Sequence, residues 1–134
     1  MAMYEIKDGD TIVARHVTAD EWGSGLKFFS PDGDFVQFGF WGYDAGKELA
    51  AHAHNRVDRS INITQEVLYI RRGSIEASIY GLNHRLIEKR VVCEGDVIAL
   101  LDGGHGYAIL EDGTQVLEIK NGPYLGAERD RVRF

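Results

Sequence analysis

Cysteine and proline are nearly missing from this chain, which has one cysteine, Cys93, and two prolines in 134 residues. A single thiol excludes an intrachain disulfide, so nothing demands an oxidising compartment. Long apolar runs are missing too: none approaches the ~20 residues that a membrane-spanning helix needs. The opening MAMYEIKDGD has neither the basic nor the apolar region of a signal peptide. The expectation is a cytoplasmic protein with no membrane partner. Positive charge is the third shortage. Fifteen Lys+Arg against 21 Asp+Glu give a formal charge of −6, and no Lys/Arg block is present, which argues against a nucleic-acid partner. Hydrophobic residues at 44% and charged residues at 27% are globular values, and the length suits one domain with one core.

Glycine, by contrast, is plentiful. There are sixteen, and Asp-Gly or Asn-Gly pairs at 8–9, 32–33, 102–103, 112–113 and 121–122 punctuate the chain at strand-length intervals. Strands are predicted over Thr11 to His16, Asp34 to Trp41, Thr64 to Arg71, Ser74 to Tyr80, Arg85 to Cys93, Val97 to Leu101, Tyr107 to Leu110 and Thr114 to Lys120. The Ser74 to Tyr80 run alternates, with Ile75, Ala77 and Ile79 on one face, the period of a half-buried strand. Glu111-Asp112-Gly113-Thr114 predicts a tight hairpin, and Thr18 to Trp22 a single helical turn capped by Thr18. Cys93, ending an apolar run, reads as a small buried hydrophobe. With no helices to cover a parallel sheet, the fold class is all-β, an antiparallel sandwich or barrel in one domain over 1–134. The C-terminal GAERDRVRF is the least apolar stretch, either a tail or an edge strand exchanged with a second subunit.

Two of the five histidines form His52-Ala-His54. On a strand, side chains two apart share a face, so both imidazoles would point the same way and could hold one metal ion. Gly46 stands six positions before His52, Glu66 is followed seven positions later by Gly73, and Gly95-Asp96 opens a strand that leads into Asp102-Gly103-Gly104-His105. This pattern resembles the two-motif signature of the cupin superfamily, G-x5-H-x-H-x3-4-E-x6-G and G-x5-P-x-G-x2-H-x3-N, over roughly residues 34–124. It departs at three points: eleven residues, Asn55 to Gln65, separate His54 from Glu66, Leu101 replaces the proline, and His105 arrives one residue early with Ile109 at the asparagine position.

The resemblance implies a double-stranded β-helix, the cupin-type jelly-roll barrel. Its core would span about 34–124, with N-terminal strands in 1–33 and a tail at 125–134. It further implies that His52, His54, Glu66 and His105 converge on one divalent metal: iron, manganese, nickel or zinc, among which these donors do not choose. The opposing expectation is a barrel whose histidines are merely satisfied polar residues or line a sugar patch.

Around that site, Arg56 shares the parity of the His52 strand, and Arg59 lies just beyond; either could clamp an anion through its planar fork, or simply be solvated. Glu48, Tyr107 and Lys120 are the candidates for proton transfer. Lys120 shares a face with Glu118, and the alternative is that Leu117 and Ile119 fill the core. The functional expectation is a metal-dependent cupin acting on a small polar or anionic metabolite, as a sugar isomerase or epimerase or as a dioxygenase. The alternatives are a non-catalytic sugar- or anion-binding module and a structural barrel. Under all of them a homodimer is expected, because exposed sheet edges invite pairing.

Overall fold

The computed structural model describes residues 3–134 and is mostly β. Strands β1 (Met3–Asp8), β2 (Thr11–Val17), β8 (Val97–Leu100), β5 (Glu66–Arg72) and β10 (Gln115–Lys120) form a five-stranded antiparallel sheet in the order β1-β2-β8-β5-β10. A three-stranded sheet, β7-β6-β9, contains β6 (Ser74–Tyr80), β7 (Leu86–Cys93) and β9 (Gly104–Ile109). The remaining pair, β3 (Gly25–Phe28) and β4 (Gly39–Gly42), forms a hairpin of its own. Among the described residues no strand joins the two larger sheets, so no barrel closes. Among the described residues no helix is long and apolar enough to cross a membrane.

The two larger sheets are stacked face to face because each has one apolar face. Leu68 and Ile70 of β5, Ile98 and Leu100 of β8, Ile6, Val13 and Ala14 of the first hairpin meet Ile75, Ala77, Ile79 and Val92 of the opposite sheet. Each fully buried isoleucine here contributes about 1.5–3 kcal/mol of transfer free energy. The chain crosses between the sheets at Gly73, where φ is +79° and a Cβ would stand 2.2 Å from Thr114 Oγ1. Only glycine fits that crossing. The outer face of the five-stranded sheet carries a second small core, in which Val17 and Val97 pack on Phe29 and Phe40. Trp22 stacks on Phe40 with ring centroids 3.8 Å apart.

Several sequence expectations need correction. The strand expected from Asp34 forms only at β4, because Gln37 spends its side-chain amide on the carbonyls of Pro31 and Asp34 and holds that stretch as a loop. The turn at Glu111–Thr114 is not a hairpin; β9 and β10 lie in opposite sheets, so the turn carries the chain across the sandwich. Cys93 is exposed, because Val92 takes the inward position and its neighbour must point out. The turn near Thr18 is a 3-10 turn, Ala19–Glu21, without a Thr18 side-chain cap on the backbone. The strand expected at His52-Ala-His54 does not form in this chain: residues 43–65 have no strand or helix. The C-terminal stretch holds a short helix, α1 (Ala127–Asp130), and then folds back over one end of the sandwich.

Candidate functional site

The open side of the sandwich, between β9 and β10, holds a cavity of about 700 Å³. That is the size of a small-molecule site. Strand parity aims side chains into it. His105 and Tyr107 on β9 stand opposite Ile79 and Ala77, both fully buried, so these two polar residues share the inward face. On the facing sheet, Glu66 begins β5 and pairs with Lys120 of β10, which places both on the wall across from β9.

Glu66 is only 7% exposed, and its polar partners converge on one oxygen. His105 Nε2 lies 2.9 Å from Glu66 Oε1, and the Tyr107 hydroxyl donates to the same atom at 2.8 Å. The two rings on β9 are stacked with centroids 5.2 Å apart. Burial alone would push the Glu66 carboxyl up. The hydrogen bond and charge of His105, the Tyr107 hydroxyl and the charge of Lys120 together outweigh it and leave Glu66 below the usual carboxylate range. Burial drives the Tyr107 phenol far upward, and the Glu66 charge adds to it, so Tyr107 remains a neutral donor. With Nε2 committed to the carboxylate, His105 has its Nδ1 without a hydrogen bond among the described residues. An imidazole in a cavity wall with one nitrogen held by a carboxylate is an arrangement that can act as a general base.

Lys120 Nζ lies 3.7 Å from Glu118 Oε2 on the same strand face, and both line the cavity. Leu117 and Ile119 therefore point outward, where they are 53% and 58% exposed, rather than filling the core. The C-terminal stretch forms the far wall. Thr64 Oγ1 bonds Asp130, and the Phe134 ring stacks on His84 at 4.2 Å and meets Tyr80 edge-on. His84 itself has φ of +64°, a left-handed conformation that a non-glycine residue seldom adopts. At the start of β9, a Cβ on Gly103 would lie 2.2 Å from the Tyr80 carbonyl oxygen, so the turn that aims His105 depends on glycine.

Of the sequence-derived site residues, the structure thus brings together Glu66, His105, Tyr107 and Lys120. It leaves Glu48, His52, His54, Arg56 and Arg59 exposed on the 43–65 stretch, and none of them lines the cavity. His52 and His54 have each other as neighbours, with ring centroids 5.2 Å apart, and His52 Nδ1 lies 3.1 Å from the Ala50 carbonyl. Among the described residues no group of three or more His, Cys, Asp or Glu side chains is arranged to hold a metal ion. Sequence reasoning gave no role to the Asp130–Phe134 wall or to His84; their signal is the aromatic and paired arginines in a stretch otherwise poor in apolar residues. Comparison with models of known families, with curated proteins and with solved structures found no match.

Proposed function

We propose that this chain is a cupin-like jelly roll whose cavity binds a small polar or anionic metabolite, and that the Glu66–His105 pair moves a proton on that molecule, as an isomerase or epimerase does. The observation that carries the reading is the convergence of His105 and Tyr107 on one oxygen of a buried carboxylate inside a ligand-sized cavity. Glu66 fixes the imidazole, His105 Nδ1 takes a proton from a carbon next to a carbonyl, and Lys120 supplies positive charge for the enolate oxygen or for an acidic group of the ligand. Tyr107 holds the Glu66 oxygen in place. The test is proton wash-in: keto sugars and keto acids are incubated with the protein in deuterated water and followed by NMR. Deuterium should enter one class of compound with the native protein and fail to enter with His105→Gln. Equal incorporation by the variant would overturn the reading.

A second reading keeps the metal. Glu66 and His105 already face each other with donor atoms 2.9 Å apart, and the resemblance adds His52 and His54. As arranged in one chain these four do not make a coordination sphere. A bound iron, manganese, nickel or zinc ion would supply Lewis acidity, or with iron and oxygen a dioxygenation. Titration with cobalt(II) separates the readings, because the metal reading requires a tight absorption change that His105→Gln abolishes.

A further inference from the structure

We propose that Arg131 and Arg133 are the anion-binding pair of the cavity and that its ligand carries a phosphoryl monoester, as a phosphorylated keto sugar does. The inference rests on the reading of that cavity as a ligand site, and it names the class of molecule the site takes.

The carboxylates of the cavity wall already have partners. Glu66 holds His105 and Tyr107, Glu118 Oε2 lies 3.7 Å from Lys120 Nζ, Asp130 accepts from Thr64 Oγ1, and Asp102 accepts from the Gly103 N–H at 2.8 Å. Arg131 and Arg133 line the same cavity, and among the described residues neither guanidinium has an ion pair or a hydrogen bond. Two cations are therefore left over in one wall of a chain whose formal charge is −6 and whose general field repels anions.

The pair is also held in place from both sides. Before it, Asp130 is bonded to Thr64. After it, the Phe134 ring lies parallel to the His84 imidazole, with 5° between the planes and 4.2 Å between centroids, and meets Tyr80 edge-on. Gly104 leaves the space for that ring, since a Cβ there would stand 2.5 Å from Phe134 Cζ. Between these anchors the backbone at Arg131 is extended, with φ −140° and ψ 157°, and an extended chain sends side chains two apart to one side. A pair positioned beforehand loses less freedom on binding than two loose side chains would. Arg129, two positions earlier in α1, does not line the cavity.

The number of guanidiniums selects the ligand. A carboxylate has one charge and two oxygens, which one planar fork satisfies. A phosphoryl monoester has close to two charges at neutral pH and three terminal oxygens, which call for two forks. His105 and Lys120 stand on the walls away from the C-terminal stretch, and a volume of about 700 Å³ accommodates a sugar between them and the arginines.

The experiment is titration calorimetry at pH 8 with inorganic phosphate, fructose 6-phosphate and fructose. The native chain should bind inorganic phosphate, and should bind fructose 6-phosphate at least about tenfold more tightly than fructose. Arg131→Ala and Arg133→Ala should each weaken phosphate binding about tenfold and together about a hundredfold, while Arg129→Ala leaves it unchanged. Both arginines are exposed, so these variants should unfold at the native urea midpoint. Phe134→Ala should weaken phosphate binding by releasing the anchor, and Phe134→Tyr should restore it. A native chain that does not bind inorganic phosphate overturns the proposal, and so does an equal loss in Arg129→Ala, which would mark a diffuse effect of charge. Glu66→Gln should lose the proton wash-in and bind phosphate as the native chain does. Wash-in as fast with fructose as with fructose 6-phosphate would overturn this inference and leave the catalytic reading standing; arginine-dependent phosphate binding without wash-in would do the reverse.

Discussion

Two histidine–carboxylate pairs lie inside this fold, and they have opposite surroundings. His16 on β2 is buried, with Nε2 2.8 Å from Asp96 Oδ2 and Nδ1 accepting from Arg90 Nε at 3.0 Å. Because the guanidinium can only donate, Nδ1 is unprotonated and Nε2 carries the hydrogen given to Asp96. Asp96 also accepts from the backbone N–H groups of Ala19 and Cys93, so it joins β2, the turn after it and the end of β7. Both nitrogens of His16 are committed to protein. His105, which lines the cavity, spends one nitrogen on Glu66 and has no hydrogen bond at the other among the described residues. Full satisfaction makes the first pair a structural joint, and the unspent nitrogen makes the second the candidate site.

The largest expected effect tests the joint. Asp96→Ala removes the acceptor of three hydrogen bonds, two of them from backbone groups, and strands the His16 N–H in the interior. Each buried donor left without its acceptor costs about 1–3 kcal/mol, so the three together should appear in urea denaturation as a large drop in midpoint. Glu66→Gln keeps an acceptor in a partly open cavity and should cost about 1 kcal/mol or less. If the two variants lose similar stability, the contrast between joint and site is wrong.

A smaller effect sharpens the contrast within the site. Tyr107→Phe deletes the hydroxyl that donates to Glu66 Oε1 and leaves the His105 contact in place. On the proposed reading Tyr107 positions the carboxylate and does not move the proton, so the wash-in rate should fall by about tenfold, equivalent to ~1.4 kcal/mol of barrier. It should not vanish as with His105→Gln. A Tyr107→Phe loss as deep as that of His105→Gln would mean that the phenol itself delivers the proton.

How much of this was legible in the sequence follows from range. The alternation of Ile75, Ala77 and Ile79 is a local signal, and β6 forms where that signal lies. That Glu66 and His105 would share a site was implied by the family resemblance and not by parity, which fixes a face within one strand but not which strands face each other. The His52-Ala-His54 segment has the right alternation but no neighbouring strand in its own chain, and alternation alone does not supply one. The Glu111–Thr114 turn misled for a related reason: its residues suit a hairpin, yet which sheet each flanking strand joins is decided by distant partners. His16 and Arg15 stand beside Val13 and Ala14 in a strand buried on both faces, a polar pair in an apolar run that was the available signal for the joint.

The smallest expected effect is a pH dependence that belongs to the joint. Burial lowers the affinity of His16 for a proton, the Arg90 charge lowers it further, and these outweigh the pull of Asp96. The unfolded chain therefore binds a proton at about pH 6.5, where the folded chain still resists it. Stability contributed by neutral His16 is complete above that value. It falls as the pH drops below it and reaches its floor at the lower pKa of the folded state. Glu66 acts in the same direction in a more acidic window. Its carboxyl is held below the ordinary value of about 4.3, so its contribution is lost only as the pH falls through that region. Urea midpoints should thus decline between pH 8 and 5.5 through His16 alone of these two groups. Arg90→Met removes the donor to Nδ1 and a positive charge, which lets folded His16 accept its proton more readily and should flatten the decline. An unchanged slope in Arg90→Met would show that the guanidinium does not lock the His16 tautomer, and the structural pair would then be no more committed than the one in the cavity.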